Sequence, residues 1–351
     1  MSAQSATRRA PDAPPRTAPA FQRRVHSRWA RLVSLPIFWL LVVPVSKVLA
    51  RRWGRMLSRG VTRMLGTFPA YEPTASDVFV CAYFKSGTNW TMQIAVQVAY
   101  HGRARFEHIH DLVPWPDTPE RMRYAVPLDD EGPRAACPTG LRVIKTHLAL
   151  GKVPYSPAAR YICVVRDPKD VFVSSYHFLR SVALRAAMPS VPAWLDAYLS
   201  PDCALGSWAE HLQSYWSARD RPNVLFLTYE QMRADLPGAV DAIAALMGVE
   251  LTAEERAAVI EQATFEHMKK IGEKFDPQGA PWASARGSMI RRGEHGASGE
   301  LLSAADQRRI DDHWRAELRR LGSDFLYDEA FAKRLGVPES LPSARKRPVT
   351  S

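Results

Sequence analysis

Val78-Phe79-Val80-Cys81-Ala82-Tyr83-Phe84-Lys85-Ser86-Gly87-Thr88-Asn89-Trp90 is the stretch that decides the fold. A run rich in β-formers ends in a Lys-Ser-Gly-Thr turn and passes into an apolar helical segment at residues 91–100. Strand, tight loop and helix together aim backbone N–H groups and the positive end of a helix dipole at one spot. That spot suits phosphate or a similar oxyanion. Gly87 lets the backbone come close, Lys85 adds a point charge, and Ser86 and Thr88 add hydroxyl donors. The spacing is not the Gly-x-x-x-x-Gly-Lys-Ser/Thr of nucleotide triphosphatases, and the lysine stands before the glycine. An ordinary strand-to-helix turn can be written in the same residues, so the loop alone does not settle the matter.

A second unit of the same kind follows. Tyr161-Ile-Cys-Val-Val165 is a continuous apolar run of the sort that forms a buried parallel strand, and Arg166 ends it. Asp167 is placed to cap a helix, Pro168 takes the first helical position, and the helix over 169–180 carries Ser174 two turns in. An arginine at a strand end, beside a helix start and a serine, makes a fork for a phosphate monoester. Between the two units lies Leu141-Arg-Val-Ile-Lys145-Thr146-His147-Leu148. In an extended chain Lys145 and His147 emerge on one face, and the neighbouring ammonium disfavours protonation of the imidazole. A histidine held neutral in this way can accept a proton near pH 7.

These motifs, in this order, resemble those of cytosolic-type sulfotransferases: Lys85-Ser-Gly-Thr-Asn-Trp90, Lys145-Thr-His147-Leu, Arg166-Asp-Pro-Lys-Asp-Val-x-x-Ser174 and Arg291-Arg292-Gly293. The resemblance covers about residues 77–327. It implies a P-loop-like α/β fold and 3′-phosphoadenosine 5′-phosphosulfate (PAPS) as sulfuryl donor. It also implies that Lys85, Ser86, Gly87, Thr88, Asn89 and Trp90 hold the 5′-phosphosulfate. Arg166, Ser174, Arg291, Arg292 and Gly293 would hold the 3′-phosphate. Tyr229, at the end of Val224-Leu-Phe-Leu-Thr-Tyr229, matches an adenine contact, and Thr264 a further adenine-side position. The chain departs from the family pattern at Phe84, where proline is usual, at Asn89, where a second threonine is common, and after Gly293. No stretch matches the dimerisation motif of some members, so the oligomeric state stays open.

The resemblance makes His147 the general base on a hydroxyl or amine acceptor, with Lys85 on the leaving oxygen and Lys145 on the transferring group. Ser174 is counted with this catalytic set. Catalysis then rests on positioning and preorganised positive charge, by analogy with phosphoryl transfer. No His-Glu-x-x-His or Cys-x-x-Cys occurs, so no metal is expected. Phe84, Trp115 and Phe178 lie near the motifs and are candidates to line an apolar acceptor pocket. The competing readings are an ATP-dependent phosphotransferase and a non-catalytic nucleotide-binding membrane scaffold.

Charge is unevenly spread over the 351 residues. Residues 1–70 hold 13 Lys and Arg against Asp12 alone, net +12, while the remainder holds 34 basic and 35 acidic residues, net −1. The overall +11 therefore belongs to an arm, and a nucleic-acid partner is not expected. Within the arm, residues 1–28 read as disordered from their Pro, Ala and Arg content. Residues 32–45 are continuously apolar but shorter than the roughly 20 residues of a spanning helix. Residues 51–65 place Arg51, Arg52, Arg55, Arg59 and Arg63 on one helical face, and Trp53, Met56, Leu57, Val61, Met64 and Leu65 on the other. A membrane surface is thus the expected partner of residues 32–65, bound in plane rather than spanned, with the alternative that the apolar face packs on the rest of the chain. The expected localisation is cytoplasmic and peripheral, and the favoured acceptor is a small hydrophobic or lipid-like alcohol.

The expected organisation is an arm at 1–70, a catalytic domain at 71–337 and a flexible basic tail at 338–351 containing Arg345-Lys346-Arg347. The expected fold is α/β, a mainly parallel central sheet with helices on both faces. Its strands fall near 78–83, 142–145, 161–165 and 224–227 and alternate with helical segments. The four cysteines suggest no disulfide framework: Cys81 and Cys163 read as core, Cys137 and Cys203 as lying in more polar surroundings.

Overall fold

A computed structural model describes residues 28–49, 52–57, 59, 67–118, 125–201, 203, 206–277, 280–282 and 297–332. Four strands form one sheet: β1 (Asp77–Ala82), β2 (Arg142–Thr146), β3 (Arg160–Val165) and β4 (Val224–Thr228). The order is β2-β1-β3-β4, and all three pairings are parallel. Every residue of β1 and β2 is buried. In β1 this explains the nearly continuous apolar run, whereas β2 buries Arg142, Lys145 and Thr146 as well as Val143 and Ile144.

Alternate residues of each strand feed two cores. Phe79, Cys81, Tyr161, Cys163 and Val165 face one side, packed with Trp194, Trp208 and Trp314. Val78, Val80, Ala82, Ile162 and Val164 face the other, packed with Met92, Val96, Val240 and Ile243. Burying side chains of this size contributes about 1.5–3 kcal/mol each, so the sheet is held by both layers at once. The principal helices of the two layers, with the arm, are α1 over 28–48, α2 (Thr88–Ala99), α3 (Pro168–Leu179), α4 (Val191–Tyr198), α5 (Trp208–Trp216), α6 (Tyr229–Ala234), α7 (Leu236–Met247), α8 (Ala253–Ala263), α9 (Phe265–Lys270) and α10 (Ala304–Arg320).

The chain passes from β1 to a neighbour on one side (β2) and then returns to a neighbour on the other (β3). The connections therefore diverge between β1 and β3, and a crevice opens at their carboxyl ends. Register keeps those ends level: Ala82 pairs with Val164, and Val165 with Thr228. Helix α2 begins at Thr88, earlier than the apolar periodicity suggests, because Gly87 takes φ +100° and turns the chain straight off the strand. Helix α3 begins as expected: the Asp167 side chain accepts from the Lys169 N–H at 2.9 Å, and Pro168 follows the cap.

One expectation is corrected. Cys137 and Cys203 are buried like Cys81 and Cys163, and none of the four is in a disulfide; Cys137 lies against the Ala99 carbonyl. In the arm, α1 runs as α-helix over Arg28–Ile37 and Val43–Val48 around a π turn at Phe38–Val42. Pro44 has no N–H to close a bond to the carbonyl one turn back, and the irregular turn precedes it. No helix among the described residues is long and apolar enough to cross a membrane. The expected tail at 338–351, and of the arm residues 1–27, Arg51, Val61, Arg63, Met64 and Leu65, lie outside the described residues.

Candidate functional site

The β1–α2 loop is built as an anion cradle. Lys85 sits at φ 64°, a conformation uncommon for a residue with a Cβ, and Gly87 follows at φ +100°. A Cβ on Gly87 would stand 2.9 Å from the Tyr229 ring, so only glycine fits there. The first-turn N–H groups of α2 are those a helix leaves without internal partners. Around them the hydroxyls of Ser86 and Thr88 are buried with no hydrogen-bond partner among the described residues. Buried hydroxyls are normally satisfied, so two orphans beside free amides mark a place shaped for a missing acceptor. Asn89 is half-buried in the same first turn. Trp90 donates through Nε1 to the Ala263 carbonyl at 2.7 Å and meets Tyr229 edge-on at 5.5 Å.

Arg166, at the end of β3, closes over the same spot. Its guanidinium lies 4.4 Å from the Tyr229 ring centre, and Asp170, one turn into α3, holds it at 3.3 Å. Burial and then the charge of Arg166 push the Lys85 ammonium down to about 8. Two cations converging on orphaned hydroxyls favour a ligand with more than one negative charge. Ser174 is half-buried in α3. Thr264 caps α9, accepting from the His267 N–H at 3.2 Å. It stands next to the Ala263 carbonyl that receives Trp90. Arg291, Arg292 and Gly293 lie outside the described residues.

His147 stands just beyond β2. Its Nδ1 is 2.7 Å from the Ala82 carbonyl, which can only accept, so Nδ1 carries the proton and Nε2 presents a lone pair. Burial, more than the neighbouring Lys145, drives its pKa down to about 3, with smaller repulsions from His211 and Lys85. The like-charge argument from sequence thus names a real but secondary cause. Lys145 is buried, lies 3.4 Å from the centre of the Trp115 ring, and is pushed down to about 7, again first by burial. Both Lys145 and His147 touch Trp115, His147 at 5.6 Å, which places them on one face.

The remaining aromatics complete the enclosure. Phe84 meets His147 at 5.9 Å and Phe178 at 5.3 Å, both edge-on, and the Lys85 ammonium lies 4.4 Å from the Phe178 ring. An imidazole lone pair, two ammonium groups and three apolar rings therefore share one corner beside the anion cradle.

Sequence reasoning passed over three residues here. Asp117 accepts the His147 backbone N–H at 3.0 Å and is itself pushed up to about 6 by burial. Asp170 steadies Arg166. His211 is buried against Tyr83 and Tyr215, with neither ring nitrogen hydrogen-bonded among the described residues. Asp117 and His211 stand in no motif, and Asp170 stands inside the Arg166–Ser174 motif with no role of its own read from it. Only the fold brings Asp117, 30 residues upstream, to His147. The His108-Ile109-His110-Asp111 string is a capped turn, with His108 facing the Asp276 carbonyl and His110 the Val113 carbonyl. Among the described residues no three His, Cys, Asp or Glu side chains gather as a metal site.

A parallel sheet with an anion cradle at its switch point and a neutral imidazole beside it defines an α/β group-transfer enzyme. Residues 75–322 match the family model described as the sulfotransferase domain, and the chain belongs to the sulfotransferase family. Sulfotransferase 1C2 of Oryctolagus cuniculus is 26% identical over 301 residues, 82% of this chain and 94% of the relative. Sulfotransferase 2A1 of Macaca fascicularis is 27% identical over 252 residues, 70% and 85% of the two chains. A solved structure of retinol dehydratase in complex with androsterone and inactive cofactor PAP shares the fold. It aligns with a TM-score of 0.58 at 22% identity, over 78% of this chain and 88% of that one.

Proposed function

We propose that this enzyme moves a sulfuryl group from PAPS to the hydroxyl, or amine, of a hydrophobic or lipid-like acceptor, with His147 as general base. The observation that carries the reading is the juxtaposition of the Lys85–Gly87–Arg166 cradle with the His147 Nε2 lone pair, walled by Phe84, Trp115 and Phe178. The donor supplies an activated sulfur–oxygen bond. Lys85, the Ser86 and Thr88 hydroxyls and the first-turn amides of α2 would grip its 5′-phosphosulfate. Arg166, with Ser174, Arg291, Arg292 and Gly293, would take the 3′-phosphate. Trp90, Tyr229 and Thr264 would flank the adenine.

His147 removes the acceptor proton at Nε2 as the acceptor oxygen bonds to sulfur. Lys85 meets the negative charge left on the bridging oxygen as its bond to sulfur breaks, and Lys145 steadies the equatorial oxygens. A base of pKa about 3 is weak at neutral pH. Nearby negative charge raises it, so donor binding strengthens the base it needs. Retinol dehydratase was solved with the apolar androsterone, and the three aromatic walls here suit such a partner. We place the protein in the cytoplasm, peripheral at a membrane surface through residues 32–65.

The test is ³⁵S-labelled donor without added metal, offered a phenol panel and a lipid extract. His147→Ala should lower turnover by about 10²–10⁴-fold, the usual worth of a general base, while 3′-phosphoadenosine 5′-phosphate (PAP) still binds. Near-normal turnover in that variant removes His147 from the role. ATP-dependent labelling without sulfur labelling would replace the reading by a phosphotransferase.

A further inference from the structure

Helix α1 carries ten of the thirteen exposed large apolar side chains among the described residues. Leu32, Val33, Leu40, Leu41 and Val48 are each at least 60% exposed. The helix touches the domain along one side: Ser34, Phe38, Val42, Val43, Ser46 and Leu49 are the buried or half-buried positions among its described side chains, and Trp39 lies 5.9 Å from the Arg185 guanidinium. A helix resting on a domain in water turns polar residues outward; one that is apolar all round needs a second apolar neighbour. Lys47 is exposed at its carboxyl end and Arg52 and Arg55 just beyond it, within an arm of net charge +12 followed by a remainder of −1. Apolar surface edged with basic side chains is complementary to anionic lipid, each such charge adding roughly fivefold to partition.

Where the helix docks gives this surface its meaning. Phe38 stacks on Trp282 at 5.4 Å, and Trp53, in the helical stretch 52–57 that follows α1, donates to the Ala187 carbonyl at 2.7 Å. Trp282 in turn donates to the Ala183 carbonyl, accepts from Arg185, and stands next but one to Ala280, which bonds Val182. The turn over 180–187 continues directly from α3, and Val182 lies one helical turn, about 5 Å, beyond Phe178. A continuous path therefore runs from His147 through Phe84 and Phe178 to the 180–187 turn, Trp282 and Phe38.

We propose that α1 is a bilayer-seated lip of the acceptor entrance. Its outer face lies in an anionic membrane surface while Phe38 and Trp53 hold the 180–187 turn and Trp282 against that surface. The acceptor is then a lipid-phase alcohol that reaches His147 from the membrane side. The inference rests on the sulfotransferase reading for the chemistry and extends it to the route of the acceptor.

The experiment is hydrogen exchange on the full chain with and without vesicles of phosphatidylcholine and phosphatidylserine, beside vesicle co-sedimentation and PAP titration. Protection should rise over 28–48 and also over 178–187 and 280–282. Leu40→Asp combined with Leu41→Asp should cut co-sedimentation at least tenfold and leave PAP affinity unchanged. Protection confined to 28–48, or no co-sedimentation, overturns the proposal. So does a stable dimer with α1 protected and no vesicle binding, which would assign the face to a second copy of the chain. PAP binding is read in every arm, so loss of the lip and loss of the sulfotransferase reading are told apart.

Discussion

The two ends of the same strands treat charge in opposite ways. At the amino end, Asp77 is buried but fully answered: it accepts from Arg142 at 3.0 Å, from the Tyr71 hydroxyl at 2.6 Å and from the Thr74 N–H at 2.7 Å. Arg142 has further partners in the Leu128 carbonyl and Glu131. At the carboxyl end, Lys85 and Lys145 face aromatic rings, with no carboxylate at salt-bridge distance among the described residues, and Ser86 and Thr88 lack partners. The first arrangement is complete in the protein alone and stabilises it. The second leaves cations without a salt-bridge partner and hydroxyls without an acceptor among the described residues, the arrangement our proposed donor site requires.

That contrast can be broken by substitution. Arg142→Met should strand Asp77 without its cation and cost about 3–5 kcal/mol in chemical denaturation, with PAP affinity retained wherever the variant is folded. Equal loss of both would mean that the two ends are not independent. At the other end, Gly87→Ala forces a left-handed alanine and a contact with Tyr229. The strain of about 1–2 kcal/mol should appear as a roughly tenfold weaker PAP affinity by calorimetry.

pH gives a sharper comparison. Burial holds Lys145 at about 7 and Lys85 at about 8. An anion between them raises both values, so the complex holds more protons than the free protein from about pH 7 upward. Binding should take up protons at pH 8, and PAP affinity should fall as pH rises, by at most about tenfold per unit for each proton. Calorimetry in two buffers of different ionisation enthalpy reads the uptake; affinity that rises with pH would contradict it. The smallest effect belongs to Asp117→Asn, which can still accept from the His147 N–H but loses the charge that supports the Lys145 ammonium. Turnover should fall severalfold with the alkaline limb of its pH profile moved down, and PAP affinity should change little.

Much of this was written locally. All four strands fall within one residue of the sequence reading at either end. β1 and β3 announce themselves as nearly continuous apolar runs because both of their faces are buried, whereas β2 carries Arg142, Lys145 and Thr146 and is read from its extended Lys-Thr-His pattern. The Asp167-Pro168 start of α3 was equally plain, since its cap lies within three residues of sequence. The start of α2 was misplaced by three residues: periodicity reports buried faces, whereas the glycine conformation at position 87 sets where the helix begins. Cys137 and Cys203 were misjudged because polar sequence neighbours say little about neighbours in space.

The sequence by itself determined the strands, the two strand–turn–helix units and the placing of His147 just beyond a strand end, because strand runs, caps and helix starts are short-range properties. Tertiary structure alone decided which groups share a corner. It brought Asp117 to His147, Tyr229 against Gly87 and Phe38 onto Trp282, and it made burial rather than charge the chief cause of the histidine's neutrality. Proximity across the chain and exclusion of water arise only when the layers pack, and no local pattern encodes them.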